Sequence, residues 1–148
     1  MPKLYEYLVL IILTTVLSCS QNISGRNYGS PNVKQELLDE KTLKITQYST
    51  DKSYGYTAKN PIMVGGMNEG PLNELRFLNA LTGPNGEMLQ YNRLGSCCAF
   101  NTENSELGGG MLDQFSVTYE GLENSLVLYL NMYDSDTLKV PVGLELKK

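Results

Sequence analysis

The chain has 148 residues and a formal net charge of −4, from 12 Lys and Arg against 16 Asp and Glu. That mild acidity gives no electrostatic footprint for nucleic acid and no polybasic patch for a membrane surface. Histidine is absent, which excludes a Ser-His-Asp or Cys-His nucleophile and the imidazole ligands on which most zinc sites rely.

The first predicted element is a leader. Leu8–Leu17 reads LVLIILTTVL without a charge, yet a membrane-spanning helix needs about 20 apolar residues. A lysine at position 3, a short apolar run and a small residue at its end are the parts of a secretory signal peptide over residues 1–18. Val16-Leu17-Ser18-Cys19 resembles a bacterial lipoprotein lipobox, in which the cysteine is acylated and becomes the first residue of the mature chain. That resemblance makes Cys19 the lipidation residue, held by acyl chains whose buried methylenes are worth about 0.8 kcal/mol each. Cleavage there removes 18 of the 148 residues and leaves 130, a length suited to one domain. The expected location is the cell envelope, on the outer membrane and facing the periplasm, with the lipid as the link to the membrane.

Residues 19–40 are polar, with Gly25, Gly29 and Pro31 and little periodicity, and read as a flexible tether. From residue 41 the pattern is mostly strand-like. Leu43 and Ile45 alternate with Lys44 and Thr46, and Tyr54, Tyr56 and Ala58 alternate with Gly55, Thr57 and Lys59. A helix follows from Pro71, suited to a first turn, with Leu72, Leu75, Leu78 and Leu81 as its apolar stripe, widened by Phe77 and Ala80. Gly83-Pro84 is the expected stop, and Pro84-Asn85-Gly86 a tight turn.

Met88–Leu94 is a weaker strand signal. Phe115, Val117 and Tyr119, then Leu126, Leu128, Leu130 and Met132, alternate as the two arms of a hairpin across Glu120–Ser125. Leu138, Val140, Val142, Leu144 and Leu146 form a last strand, which Pro141 assigns to a sheet edge. The expected fold is therefore α+β over residues 41–148: a mostly antiparallel sheet with one amphipathic helix packed on one face.

Cys97 and Cys98 are the least ordinary pair. Adjacent Cα atoms lie about 3.8 Å apart, below the usual disulfide range, so a bond between them would be strained and reducible. In an oxidising compartment they are a candidate redox element. In an extended strand, however, they would point to opposite faces, and two small buried hydrophobes are the favoured reading. Two adjacent cysteines cannot complete a thiolate metal site. Asp134-Ser135-Asp136 offers too few ligands for calcium and reads as a solvated hairpin end, and the Gly65-Gly66 and Gly108–Gly110 runs read as turns or mobile loops without phosphate-loop context. Arg76 and Arg93 could together hold an anion, though an exposed helix face with ordinary spacing is preferred. The tyrosines could line a sugar-stacking face, but more often such residues pack sheets. These readings assign no catalytic residue, no metal and no cofactor.

The segments YGYTAKNPIMVGG (54–66), RFLNALTGPNGE (76–87), LGSCCAF (94–100) and YEGLENSLVLYLNMYD (119–134) resemble a family of small bacterial envelope lipoproteins. Members frequently carry the name 2-dehydro-3-deoxyphosphooctonate aldolase, so the resemblance implies a sugar-acid enzyme as one function. The enzyme of that name is a (β/α)₈ barrel, which takes about 250 residues, and no βαβ alternation is visible here. A non-catalytic accessory or binding lipoprotein, with envelope proteins or glycans as partners, is the first expectation. The aldolase and a thiol redox element at Cys97-Cys98 are the alternatives.

Overall fold

The computed structural model describes residues 25–66 and 68–148. The leader and Cys19 lie outside the described residues. In chain order the elements are β1 (Leu37–Asp39), β2 (Thr42–Leu43), β3 (Gln47–Tyr48), β4 (Ile62–Met63), α1 (Gly70–Asn79), β5 (Leu81–Thr82), β6 (Gln90–Asn101), β7 (Gly109–Thr118), β8 (Leu126–Asn131), β9 (Lys139–Val140) and β10 (Glu145–Leu146). The class is α+β. The main sheet runs β4-β8-β7-β6, with β4 parallel to β8 and the other pairs antiparallel. Three two-stranded ribbons, β1-β2, β5-β10 and β3-β9, surround it.

The β7–β8 hairpin forms as the alternation indicates, with Phe115 opposite Leu128 and Val117 opposite Leu126. Residues directly opposite each other share a face, so Phe115, Val117, Leu128 and Leu130 join Ile62 on one side. That side forms the core with Phe77 and Leu78 of α1, Leu43 of β2 and Val140 of β9. The opposite face has its own small cluster, where the Phe100 ring lies 5.1 Å from Tyr28 and 5.9 Å from Tyr133. Gly110 makes room for it: a Cβ there would sit 2.7 Å from the Tyr133 ring and 2.9 Å from Phe100.

Several expectations are corrected. Tyr54–Ala58 is not a strand; the segment turns back on itself, with Gly55 N–H bonded to the Asn60 carbonyl at 2.8 Å and Gly55 at φ +80°. The strand signal around Met88–Leu94 belongs to a much longer strand reaching Asn101, and β7 begins inside the glycine run at Gly109. The terminal alternation is split into β9 and β10 by a turn, closed by Leu144 N–H to the Pro141 carbonyl at 3.1 Å. Leu72 and Leu75 are 45% and 39% exposed, so they do not form the buried stripe of α1. The helix ends at Asn79 with Ala80 as its C-cap, ahead of Gly83-Pro84.

The tether reading fails from Arg26 onward. Asn27 bridges Asn101 and Asn32 bridges Ser135. The Tyr28 hydroxyl donates to the Ala58 carbonyl at 2.5 Å, and Leu37–Asp39 pairs with β2. Polar side chains and glycines here satisfy backbone groups on the domain surface, which a composition argument reads as a lack of structure.

Candidate functional site

Cys97 and Cys98 are joined by a disulfide between neighbours, with Cα atoms 3.7 Å apart. They are therefore not two separate small hydrophobes: a regular extended strand would point them to opposite faces, and β6 is not regular here. Cys98 has φ +60°, and the pairing with β7 shifts by one residue between Cys97 (opposite Leu112) and Phe100 (opposite Gly110). This is a bulge: one extra residue on one strand, with the local backbone turned out of the pleat. Both cysteines are half-buried.

On the core face of the same strands lies a charged cluster that sequence reasoning missed. Arg93 grips Asp113 with two bonds, Nε to Oδ2 at 2.7 Å and Nη2 to Oδ1 at 2.8 Å. The Ser96 hydroxyl donates to the same carboxylate at 2.7 Å. Burial pushes the Asp113 carboxyl up, but the Arg93 and Ser96 hydrogen bonds and the Arg93 charge outweigh that and hold it below the usual carboxylate range. Glu74 of α1 comes down on this pair. It is 1% exposed, and among the described residues its Oε1 has no hydrogen-bond partner. Burial first, then the Asp113 charge, pushes its pKa up to about 8. Two neighbouring carboxyls of such different acidity do not both ionise: Asp113 keeps its charge against Arg93 while Glu74 holds its proton. One signal was legible: Asp113 falls in phase with Phe115 and Val117, a carboxylate placed on an apolar face.

Arg76 and Arg93 are not brought together as an anion clamp. Arg76 is spent on the Glu40 carbonyl (3.0 Å), Glu69 (2.9 Å) and Asn73 (2.9 Å). Nor is Asp134-Ser135-Asp136 a solvated hairpin end. Asp134 is fully buried and accepts from Thr102, from Asn104 Nδ2 at 2.9 Å and from Asn131 Nδ2 at 2.8 Å. Three donors complete the carboxylate and tie the β6–β7 connection to the end of β8. Among the described residues no group of three or more cysteine, aspartate or glutamate side chains could hold a metal ion.

An open groove of about 970 Å³ lies between the end of α1, the Gly83–Glu87 turn, the start of β6 and β10. Tyr48, Tyr91, Met88, Thr82, Asn85 and Lys147 are among the side chains that line it. Tyr91 is fixed by its hydroxyl donating to Asn79 Oδ1 at 2.7 Å, and Tyr48 by donating to Glu145 at 2.8 Å. Tyr48 is 51% exposed and Met88 81% exposed, so apolar area faces solvent beside amides, a hydroxyl and an ammonium. Neither cysteine nor the Glu74–Asp113 pair lines this groove. No family model, curated protein sequence or solved structure matches this chain.

Proposed function

We propose that this chain is a lipid-anchored protein of the cell envelope, tethered through Cys19, whose domain is a non-catalytic binding module for an envelope glycan. The observation that carries the binding role is the groove, with two hydroxyl-fixed tyrosines and an exposed methionine flanked by Thr82, Asn85 and Lys147. Concave, mostly apolar sites with a few placed polar groups are where small ligands bind. Rigid tyrosine rings suit the apolar faces of sugars while the polar groups meet their hydroxyls. The anchor rests on the leader and the cysteine at its end.

Each half has its own test. Cys19→Ala is expected to abolish incorporation of a labelled fatty acid and to leave the protein unprocessed or soluble; unchanged labelling would remove the anchor. Calorimetric titration with a β-1,4-linked N-acetylglucosamine oligosaccharide is expected to show saturable binding, weakened about tenfold by Tyr48→Ala, since a lost stacking contact is worth roughly 1 kcal/mol or more. Binding that ignores Tyr48→Ala and Met88→Ala would take the groove out of the proposal. The sugar-acid enzyme named by the resemblance is the alternative, and saturable aldol cleavage or condensation by the purified protein would put it first.

A further inference from the structure

The bulge at Cys97-Cys98 decides which way Phe100 points. Cys97 and Phe100 are three apart, so in a regular strand they would lie on opposite faces. Here they pair with Leu112 and Gly110, which are two apart and share a face. The extra residue thus keeps Phe100 on the face where it meets Tyr28 and Tyr133. Without it Phe100 would stand opposite Gly109 on the other face, because a slip of one residue reverses every side chain beyond it. The residue at the bulge, Cys98, is held at φ +60°, a conformation that side chains other than glycine adopt only where the surroundings impose it. That residue is also bonded to its neighbour Cys97.

The N-terminal segment is fastened to the chain just beyond the bond. Asn101 N–H donates to the Arg26 carbonyl at 2.8 Å, and Arg26 Nη1 reaches the Ala99 carbonyl at 3.5 Å. Glu103 N–H donates to Ser30 Oγ at 3.0 Å, and Asn104 Nδ2 reaches the Ser30 and Pro31 carbonyls at 3.3 and 3.2 Å. The Tyr28 ring lies on Phe100. All these contacts require residues 99–104 to keep their present register.

We infer that the Cys97–Cys98 disulfide is a redox latch: its two-electron reduction by a thiol reductant lets β6 re-register beyond Cys97 and frees the strap Arg26–Pro31 from the sheet. In the reaction a thiolate of a dithiol attacks one sulfur, forming a mixed disulfide and expelling the other cysteine as a thiolate, which takes a proton from solvent. The second thiol of the reductant then displaces the remaining protein sulfur. The reductant leaves as its own cyclic disulfide, and the protein gains two electrons and two protons as two thiols. Both cysteines are half-buried, so a small reductant can reach the pair. The inference depends neither on the groove nor on its ligand.

The test uses the full chain in detergent, alkylated before and after treatment with dithiothreitol, with hydrogen exchange followed by mass spectrometry. Leaving Cys19 aside, no cysteine is expected to be alkylated before reduction and two after it. Exchange in residues 26–31 and 97–104 is expected to quicken about tenfold or more, while β8 stays protected, as local opening requires. Cys98→Gly removes the bond but tolerates the left-handed backbone; it is expected to keep residues 26–31 protected with or without dithiothreitol. The double variant Cys97→Ser/Cys98→Ser is expected to behave as the reduced protein. Cysteines alkylated without reductant would overturn the latch. So would unchanged exchange in residues 26–31 after reduction, or loss of protection across β8 as well.

Discussion

Glu74 places an acid in the seam between α1 and the sheet, and its chemistry is set by what it meets there. Its folded pKa of about 8 lies above the usual value of 4.5, so between those limits the native state holds a proton that the unfolded chain has released. Stability from this group is complete below about pH 4.5 and falls as the pH rises toward 8. Glu74→Gln keeps a donor for Asp113 without the titration. It is expected to flatten that slope and to raise stability at pH 8 by on the order of 2 kcal/mol, read from urea unfolding at pH 5 and pH 8; equal slopes in the two proteins would contradict it. Asp134 is also buried, with its acceptors filled by three donors. Asp134→Ala strands the buried Asn131 and Thr102, and a loss of about 3 kcal/mol is expected in the same assay, because each orphaned buried group costs about 1–3 kcal/mol. Neither role could be read from composition, since each depends on partners distant in sequence.

The helix shows how an element can be found and its face mistaken. Leucines three apart fall about 60° short of a full turn at each step, so Leu72 and Leu78 stand about 120° apart around α1, and Leu81 lies beyond the helix in β5. The side that is buried holds Asn73, Glu74, Phe77 and Leu78, spaced as a 3.6-residue period requires, but two of the four are polar and hid the stripe. Phe77→Ala is expected to cost about 3–5 kcal/mol, whereas Leu75→Gln should stay within about 0.5 kcal/mol; thermal unfolding of the two variants distinguishes the faces. Strand β6 presents the related difficulty. Its apolar alternation is broken by shifts in register at Arg93/Gly95 and Cys97/Phe100, so a pattern of period two dissolves after Leu94 although the strand continues. The hairpin of β7 and β8 has no such break in the paired stretch from Asp113 to Val117, and it was legible for that reason.

At the scale of the whole molecule, the stretch from Arg26 to Asp39 belongs to the domain. It covers Phe100 on the sheet face away from α1 and adds a strand to β2. At a tether position Tyr28→Ala would be silent; here it is expected to cost about 2 kcal/mol, since it removes a ring packed on Phe100 and a hydroxyl bonded to Ala58. A denaturation midpoint equal to the parent's would restore the tether. The amino-acid sequence by itself determined the α+β class, the β7–β8 hairpin and the existence of the helix, because these follow from local periodicity and turn residues. The proposed leader and Cys19 anchor rest on the sequence alone. The tertiary structure decided the disulfide between Cys97 and Cys98, the Arg93–Asp113–Glu74 cluster, the Asp134 centre and the groove. Each of these is made by residues that meet only when strands distant in the chain are placed in register, and register depends on bulges that leave no periodic trace.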